Sequence, residues 1–436
     1  MEITKRKPCY IKLAVQTAEE MAKVILSTLI EWKLDNLRLR SLTTDNASVM
    51  VALAKREELK INYPIPCGAH TLQLVLKPVL LREEVTQLTT KVRLIVSHFH
   101  RSTIATSKLL EVQCQAGVTK PLKLKLDVVT RWNSTYDMLF RFINNFDFLS
   151  KAITSNEIYE VYSSLLPKKG LLVDLCTLLK PFYQATKVLS ADTAYPSLSL
   201  LFPTLLKLSE DIREFSPISP YNGLFLELKR DIFSEISSRF HDRDLKASHI
   251  ATLLNPAYKD FKYDPQKDNE YWQEIKELLK MLQIELERQK AACVPKDEVL
   301  ASGSGPIPTS EEQLNPEDLV QQRIAALKAN QPWMRKRTQQ TFADPEQEIF
   351  AYQALPLMPT HVGNNPQDPL LWWKNQAVAF PLLSELARFF LAIPATSVPS
   401  ERIWSDGGQL VTTLRSRLNP EHIDQLLSLR VNKEFS

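Results

Sequence analysis

The sequence predicts an α/β protein that is predominantly helical. Only 9 glycines stand among its 436 residues, far below the usual ~7%. Long leucine-, lysine- and glutamate-rich runs place apolar residues at helical spacing. Alternation in Leu37-Arg-Leu-Arg-Ser-Leu42 adds at least one strand. Scarce glycine argues against a sandwich, a barrel or a glycine-rich dinucleotide fold. The 44% apolar content is enough for real cores, and the length allows roughly two or three compact units.

Net charge is +4, from 54 basic and 50 acidic residues, which is compatible with nucleic acid but too mild to establish it. Cys9, Cys67, Cys114, Cys176 and Cys293 are scattered and odd in number, so they read as free thiols rather than a disulfide scaffold or a closed zinc site. No apolar run is long enough to predict a membrane span, the polar start predicts no signal peptide, and it holds no Cys/His array for a zinc finger.

Thr17-Ala-Glu-Glu20 has capping-box spacing, followed by Ala18, Met21, Ala22, Ile25 and Leu29 on one helical face. The strand at 37–42 runs into Thr43-Thr-Asp45-Asn46-Ala-Ser48, where a second helix begins. A carboxylate there stands at the C-terminal edge of a sheet, where α/β proteins keep their sites, although Asp45 or Asn46 could equally cap the helix. An extended piece with two prolines, Ile61 to Pro66, feeds a long helix expected from about 69 to 99. Cys67 and His70 have the spacing of two metal ligands, with no matching pair nearby; a buried Cys with a hydrogen-bonded or DNA-facing His is the other reading. Leu122-Lys-Leu-Lys-Leu-Asp127-Val-Val alternates briefly before Thr130-Arg131-Trp132. Trp132 reads either as a core anchor of the helix expected over 132–150 or as a platform for a base, beside an Arg131 guanidinium for a phosphate.

From 145 to 295 the chain reads as successive helices without a catalytic constellation, and 294–312 as a linker or mobile loop. A further helix is expected near 344–354 and an apolar one over 381–392. Ile393-Pro-Ala-Thr-Ser-Val-Pro-Ser-Glu401 follows, with Ser400 as the expected cap and Glu401 in the first turn. That carboxylate either complements the helix dipole or faces a metal shared with another carboxylate. Trp372, Trp373, Phe380, Leu386, Phe389, Phe390, Trp404, Ile423, Leu426 and Leu427 exceed what a thin segment can bury in itself. They are expected both to cover a core and to meet a second copy of the chain.

Leu42 to Ser48, Cys67-Gly-Ala-His70, Thr130-Arg-Trp-Asn-Ser134, Asp368-Pro-Leu-Leu-Trp-Trp373 and Ile393 to Arg402, followed by Arg415 to Pro420, together resemble the hAT superfamily of transposases. The nearest resemblance is to the BED-zinc-finger proteins derived from them. The similarity covers nearly the whole chain in the right order. It implies a ribonuclease-H-like core interrupted by a large all-helical insertion and closed by C-terminal helices. The implied regions are a partial core over 1–100, the insertion over 101–365, and a dimerisation region over 366–436 that completes the core. In the family three acidic residues hold two divalent ions. Asp45 falls on the second acidic position and Glu401 on the third, Cys67 and His70 on a Cys-x-x-His, and Arg131 with Trp132 on an Arg-Trp whose tryptophan supports a flipped base.

Against that pattern the chain starts at what resembles the third strand, so the first catalytic aspartate and the zinc finger are expected to be missing. Asp35 and Asp127 are no substitutes, because neither ends a strand at the required place. Asp45 and Glu401 would then hold a metal weakly at best. No cofactor is expected to be required, and Mg2+ or Mn2+ enters only if catalysis is retained. The implied protein is a homodimer that binds DNA chiefly through phosphates, has no membrane or small-molecule substrate, and resides in the nucleus. An active transposase seen as a shortened chain, and a helical scaffold without nucleic-acid binding, are the alternatives.

Overall fold

The structure, a computed structural model, describes residues 17–31, 41–128, 131–190, 197–241, 245–260, 265–292, 344–362, 365–402, 422, 425 and 426. It is predominantly helical, and chain contacts divide it into two units. The first comprises Met1–Leu253 with Phe390–Ser436, the second Leu254–Phe389. Among the described residues no helix is long and apolar enough to cross a membrane. The linker 294–312 lies outside the described residues.

In the first unit, helix α1 (Ala18–Glu31) starts at the capping signal. The Thr17 hydroxyl accepts from the Glu20 amide at 3.3 Å, satisfying a donor that every helix start leaves open. The inner face of α1 closes a small core of Ala22, Leu53 and Leu59. Strand β1 (Ser41–Thr44), helix α2 (Ser48–Ala54) and strand β2 (Tyr63–Pro66) form a crossover. The strands pair in parallel, from Ser41 opposite Tyr63 to Thr44 opposite Pro66. Pro64 and Pro66 lack amide hydrogens, which suits β2 to a short ladder.

The long helix expected from 69 to 99 is two helices, α3 (Gly68–Leu81) and α4 (Glu83–Arg101). Arg82 leaves helical geometry at φ −56° and ψ 138°. Pro78 removes a donor inside α3, and Glu83 with Glu84 suits a fresh helix start. Helix α5 (Thr103–Gln115) follows. The alternating stretch 122–128 is not a strand. Gln113, 2% exposed, accepts from the Leu122 amide at 2.8 Å and donates to the Leu122 carbonyl at 3.1 Å, so one side chain takes the place of a partner strand.

Helices α6 (Trp132–Ala152), α7 (Asn156–Ser163), α8 (Lys169–Leu189), α9 (Leu201–Glu214), α10 (Asn222–Ile236) and α11 (Lys246–Leu253) complete the helical body. Phe142, Phe146, Phe182, Phe202 and Phe225 are fully buried in it. Asp127 is clamped by the Arg93 guanidinium at 2.8 and 2.7 Å and by the Thr135 hydroxyl at 3.0 Å. That clamp docks the irregular 119–128 segment onto α4 and α6.

The second unit holds α12 (Pro265–Ala292), α13 (Pro345–Ala354), a minimal antiparallel pair β3 (His361–Val362) and β4 (Asn365–Pro366), α14 (Pro369–Gln376) and most of α15 (Pro381–Leu391). Trp272, Trp372, Trp373 and Phe380 surround the Tyr352 ring with centroids 4.9 to 6.3 Å away. The Trp373 indole donates to the Leu254 carbonyl at 2.7 Å. Lys259, 3% exposed, caps the end of α13 by donating to the carbonyls of Tyr352, Gln353 and Leu355. Glu348 accepts from the Leu382 and Leu383 amides at 3.2 and 2.9 Å, capping α15.

Candidate functional site

Asp45 stands half-buried where β1 ends. Its Oδ1 accepts from the Ala47 amide at 3.1 Å, fixing the turn into α2, which has no side-chain cap of its own. Asn46 instead donates to the Thr71 hydroxyl on α3 at 3.1 Å. The two neighbours thus divide the work: Asp45 shapes the turn, and Asn46 ties the strand end to the next helix.

Cys67 is the junction of the site. It is fully buried and caps α3. Its amide donates to the Thr44 carbonyl at 2.7 Å. Its sulfur accepts from the His70 amide at 3.5 Å and the Ser397 amide at 3.3 Å, and lies 3.1 Å from the Thr396 hydroxyl. Beside it, the Gly68 amide donates to the Ala395 carbonyl at 2.8 Å, and the Thr43 hydroxyl donates to the Pro394 carbonyl at 2.9 Å. The C-terminal motif is therefore fastened, residue by residue from Pro394 to Ser397, onto the ends of β1 and β2. The His70 side chain is only half-buried, and the sulfur beside it is committed to backbone and hydroxyl partners rather than to a zinc ion.

Ser400 is not the helix cap. Helical geometry begins at residue 398, and Ser397 precedes it, its hydroxyl donating to Glu401 Oε1 at 2.8 Å. Pro399 needs no amide partner in a first turn, so the helix starts ahead of it. Glu401 is exposed and remains in that first turn. Among the described residues no three His, Cys, Asp or Glu side chains gather as a metal site. Asp45 and Glu401, each engaged locally and without a third ligand, do not by themselves fit a two-metal centre.

Arg131 is exposed at the start of α6, and Trp132 is 5% exposed, edge-on to Phe182 at 6.4 Å between centroids. In this conformation Trp132 anchors the helical core; acting as a platform for a base would require it to leave that packing. The C-terminal aromatics divide in the same way. Trp373, Phe380, Leu386 and Phe390 are core residues at 1 to 7% exposure, so they are not surface for a second copy. Trp372 and Phe389 are half-buried and Leu426 is exposed. Trp404, Ile423 and Leu427 lie outside the described residues. Leu371 and Val378, at 53% and 81% exposure, are apolar surface that spacing alone did not single out. Gly68 and Thr396 were also missed, although a glycine directly after Cys67 in so glycine-poor a chain is a signal in itself.

Residues 348–432 match the hAT family C-terminal dimerisation region, and residues 65–165 match the ZBED1 RNase-like helical domain. These are the two regions that meet where Cys67 and Gly68 hold Ala395, Thr396 and Ser397. The chain is 26% identical over 393 residues to human Zinc finger BED domain-containing protein 4, a match spanning 89% of this chain and 30% of that protein. It is 23% identical over 434 residues to the Putative AC transposase of Zea mays, spanning 94% of this chain and 50% of that protein. To the Putative transcriptional regulator tpeD of Talaromyces stipitatus it is 23% identical over 470 residues, 96% of this chain and 48% of that one. The chain thus spans half or less of the length of these relatives. These matches support a hAT-derived, BED-type relationship for the chain.

Proposed function

We propose that the chain is the body of a transposase-derived nuclear protein that dimerises through its C-terminal region and binds DNA, without efficient strand transfer. One observation carries the reading: the segment Pro394 to Ser397 is stitched to the ends of β1 and β2 by Cys67, Gly68 and Thr43. The dimerisation-like region is thereby continuous with the strand ends that carry Asp45. A ribonuclease-H-like origin is supported by the parallel β1–α2–β2 crossover with a carboxylate at its C-terminal edge. On this reading residues 1–100 are the partial core, 101–365 the insertion and 366–436 the dimerisation region.

Weak catalysis is supported by the state of the two carboxylates, Asp45 committed to its turn and Glu401 to Ser397. If Mg2+ or Mn2+ binds, it binds these two alone and loosely. DNA contact is supported by exposed Arg131, Lys120, Lys123 and Lys125 near the start of α6, a surface suited to phosphates rather than base edges. The test is binding of a labelled duplex over a range of salt. Affinity should fall steeply with salt, and Arg131→Ala should lower the logarithmic slope by about one. Salt-insensitive binding, or none, would favour a protein-only scaffold. Metal-dependent cleavage of duplex DNA, abolished by Asp45→Asn, would instead restore the active-enzyme reading.

A further inference from the structure

We infer that the outer face of α12 is a second contact surface between copies of this chain, pairing antiparallel with the same face of a second copy. The two sides of α12 differ sharply. Ile275 and Leu279 are buried, Trp272 packs edge-on to the Tyr352 ring at 6.2 Å, and Lys276 pairs with Glu346. That side is spent on packing against α13. At about 100° per residue, the opposite side carries Glu277, Met281, Ile284 and Arg288, all exposed. Met281 and Ile284 are 57% and 49% exposed.

These four positions follow one another by four, three and four residues, the spacing of a two-helix seam. The seam is also complementary to its own reverse. About a two-fold axis midway between residues 282 and 283, Met281 faces the partner's Ile284 and Glu277 faces the partner's Arg288. Each pair occurs twice. On one flank Lys280 comes beside the partner's Glu287, both exposed. A two-fold contact requires a self-complementary patch, and this face is one in polarity and in charge. A parallel pairing in register would set Glu277 against Glu277 and Arg288 against Arg288, so the charges select the antiparallel one. Single apolar residues on a surface are ordinary, and Lys280 already meets Glu277 at 2.9 Å within the helix. Neither fact accounts for an apolar pair centred between charges of opposite sign.

About three turns of one helix bury less than a free-standing dimer needs. The contact is therefore weak alone and gains strength when the copies are otherwise joined or concentrated. It lies outside residues 348–432, the match to the dimerisation region. Two different two-fold contacts on one chain build assemblies larger than a dimer, so this surface goes beyond the proposed C-terminal dimer without requiring it.

The test is sedimentation equilibrium of the full chain at low salt, in the wild-type chain and in one carrying Leu371→Glu and Val378→Glu. Self-association is expected in both, weaker at raised salt. Glu277→Arg or Arg288→Glu, each placing like charges opposite one another twice, should weaken it about tenfold in the second chain. Mixed in equal amounts, these two variants should associate as their parent does, because each supplies the charge that the other lacks. A folding defect would not produce that recovery. No association in the Leu371→Glu, Val378→Glu chain, or charge variants that associate like their parent, overturns the inference. A mixture no better than its components overturns it too and assigns the face to a different partner. A wild-type dimer indifferent to both charge reversals would sink this contact alone. Association that recovers on mixing but ignores Leu371→Glu and Val378→Glu would instead count against the C-terminal surface.

Discussion

Gly68 has no room for a side chain. An added Cβ would stand 3.1 Å from Leu201 Cδ1, 3.2 Å from the Ala395 carbonyl oxygen and 3.3 Å from Leu189 Cδ1. The two leucine methyls can give way, but the carbonyl is fixed by its own hydrogen bond from the Gly68 amide. Gly68→Ala should therefore destabilise the first unit by about 1–2 kcal/mol in urea unfolding, despite alanine's better helix propensity. Asp127 sets a different dependence. Burial pushes its carboxyl up, but the Arg93 fork and the Thr135 hydroxyl together outweigh that and hold it below its ordinary 3.8. A depressed folded value adds stability above the unfolded value and loses it as pH falls through the folded one. Thermal unfolding should thus show an acid-side loss below pH ~4 that Asp127→Asn flattens. Glu348 has the opposite sign: burial outweighs its two backbone amides and raises its value, so its contribution is present in acid and lost as pH rises. None of this was legible from sequence, because Asp127 read only as part of an alternating stretch and Glu348 as part of a helix.

Among elements, the break between α3 and α4 has the clearest consequence. Arg82, the residue that leaves helical geometry, donates to Asp231 at 2.7 Å and Glu227 at 2.8 Å on α10. The bend thus places a cation where α10 offers two carboxylates. All three side chains are partly exposed, so the pair is screened. Arg82→Ala should lower stability by about 1 kcal/mol at low salt and by clearly less in 1 M salt. An unchanged difference between the two salt conditions would show that the bend is held by packing instead. Helix existence was legible here: the capping box at Thr17 and the apolar spacing of α6 to α11 announced their helices, whereas the helix at Pro369–Gln376 was not singled out. Breaks were less so, since a proline near a helix end and two following glutamates are each tolerated within a longer helix. The brief alternation at 122–128 did not become a strand, since Gln113 bonds both backbone groups of Leu122.

For the whole molecule, the division of the C-terminal aromatics decides how dimerisation must be tested. Removing everything after residue 365 would take away Trp373, Phe380, Leu386 and Phe390, which are core, and would report unfolding rather than assembly. Charge on exposed Leu371 and Val378 is the sharper probe. If that surface meets a second copy, Leu371→Glu with Val378→Glu should convert a dimer to a folded monomer by light scattering, with the melting temperature of the monomer retained. A wild-type chain that is already monomeric at micromolar concentration would remove the dimer from the proposed function.

By itself the sequence determined the helical class, most of the helices and the resemblance to a hAT-derived family, because capping residues, apolar periodicity and ordered motifs are local and survive as a linear pattern. Only the tertiary structure decided what those motifs do in this chain. Cys67 turned from a possible zinc ligand into the knot between β2 and the C-terminal motif, Ser397 replaced Ser400 at the helix start, and Trp132 lies in the core. The outcome at Cys67 depends on groups that meet across more than three hundred residues of chain, as Cys67 and Thr396 do, and spacing along a sequence carries no record of such a meeting.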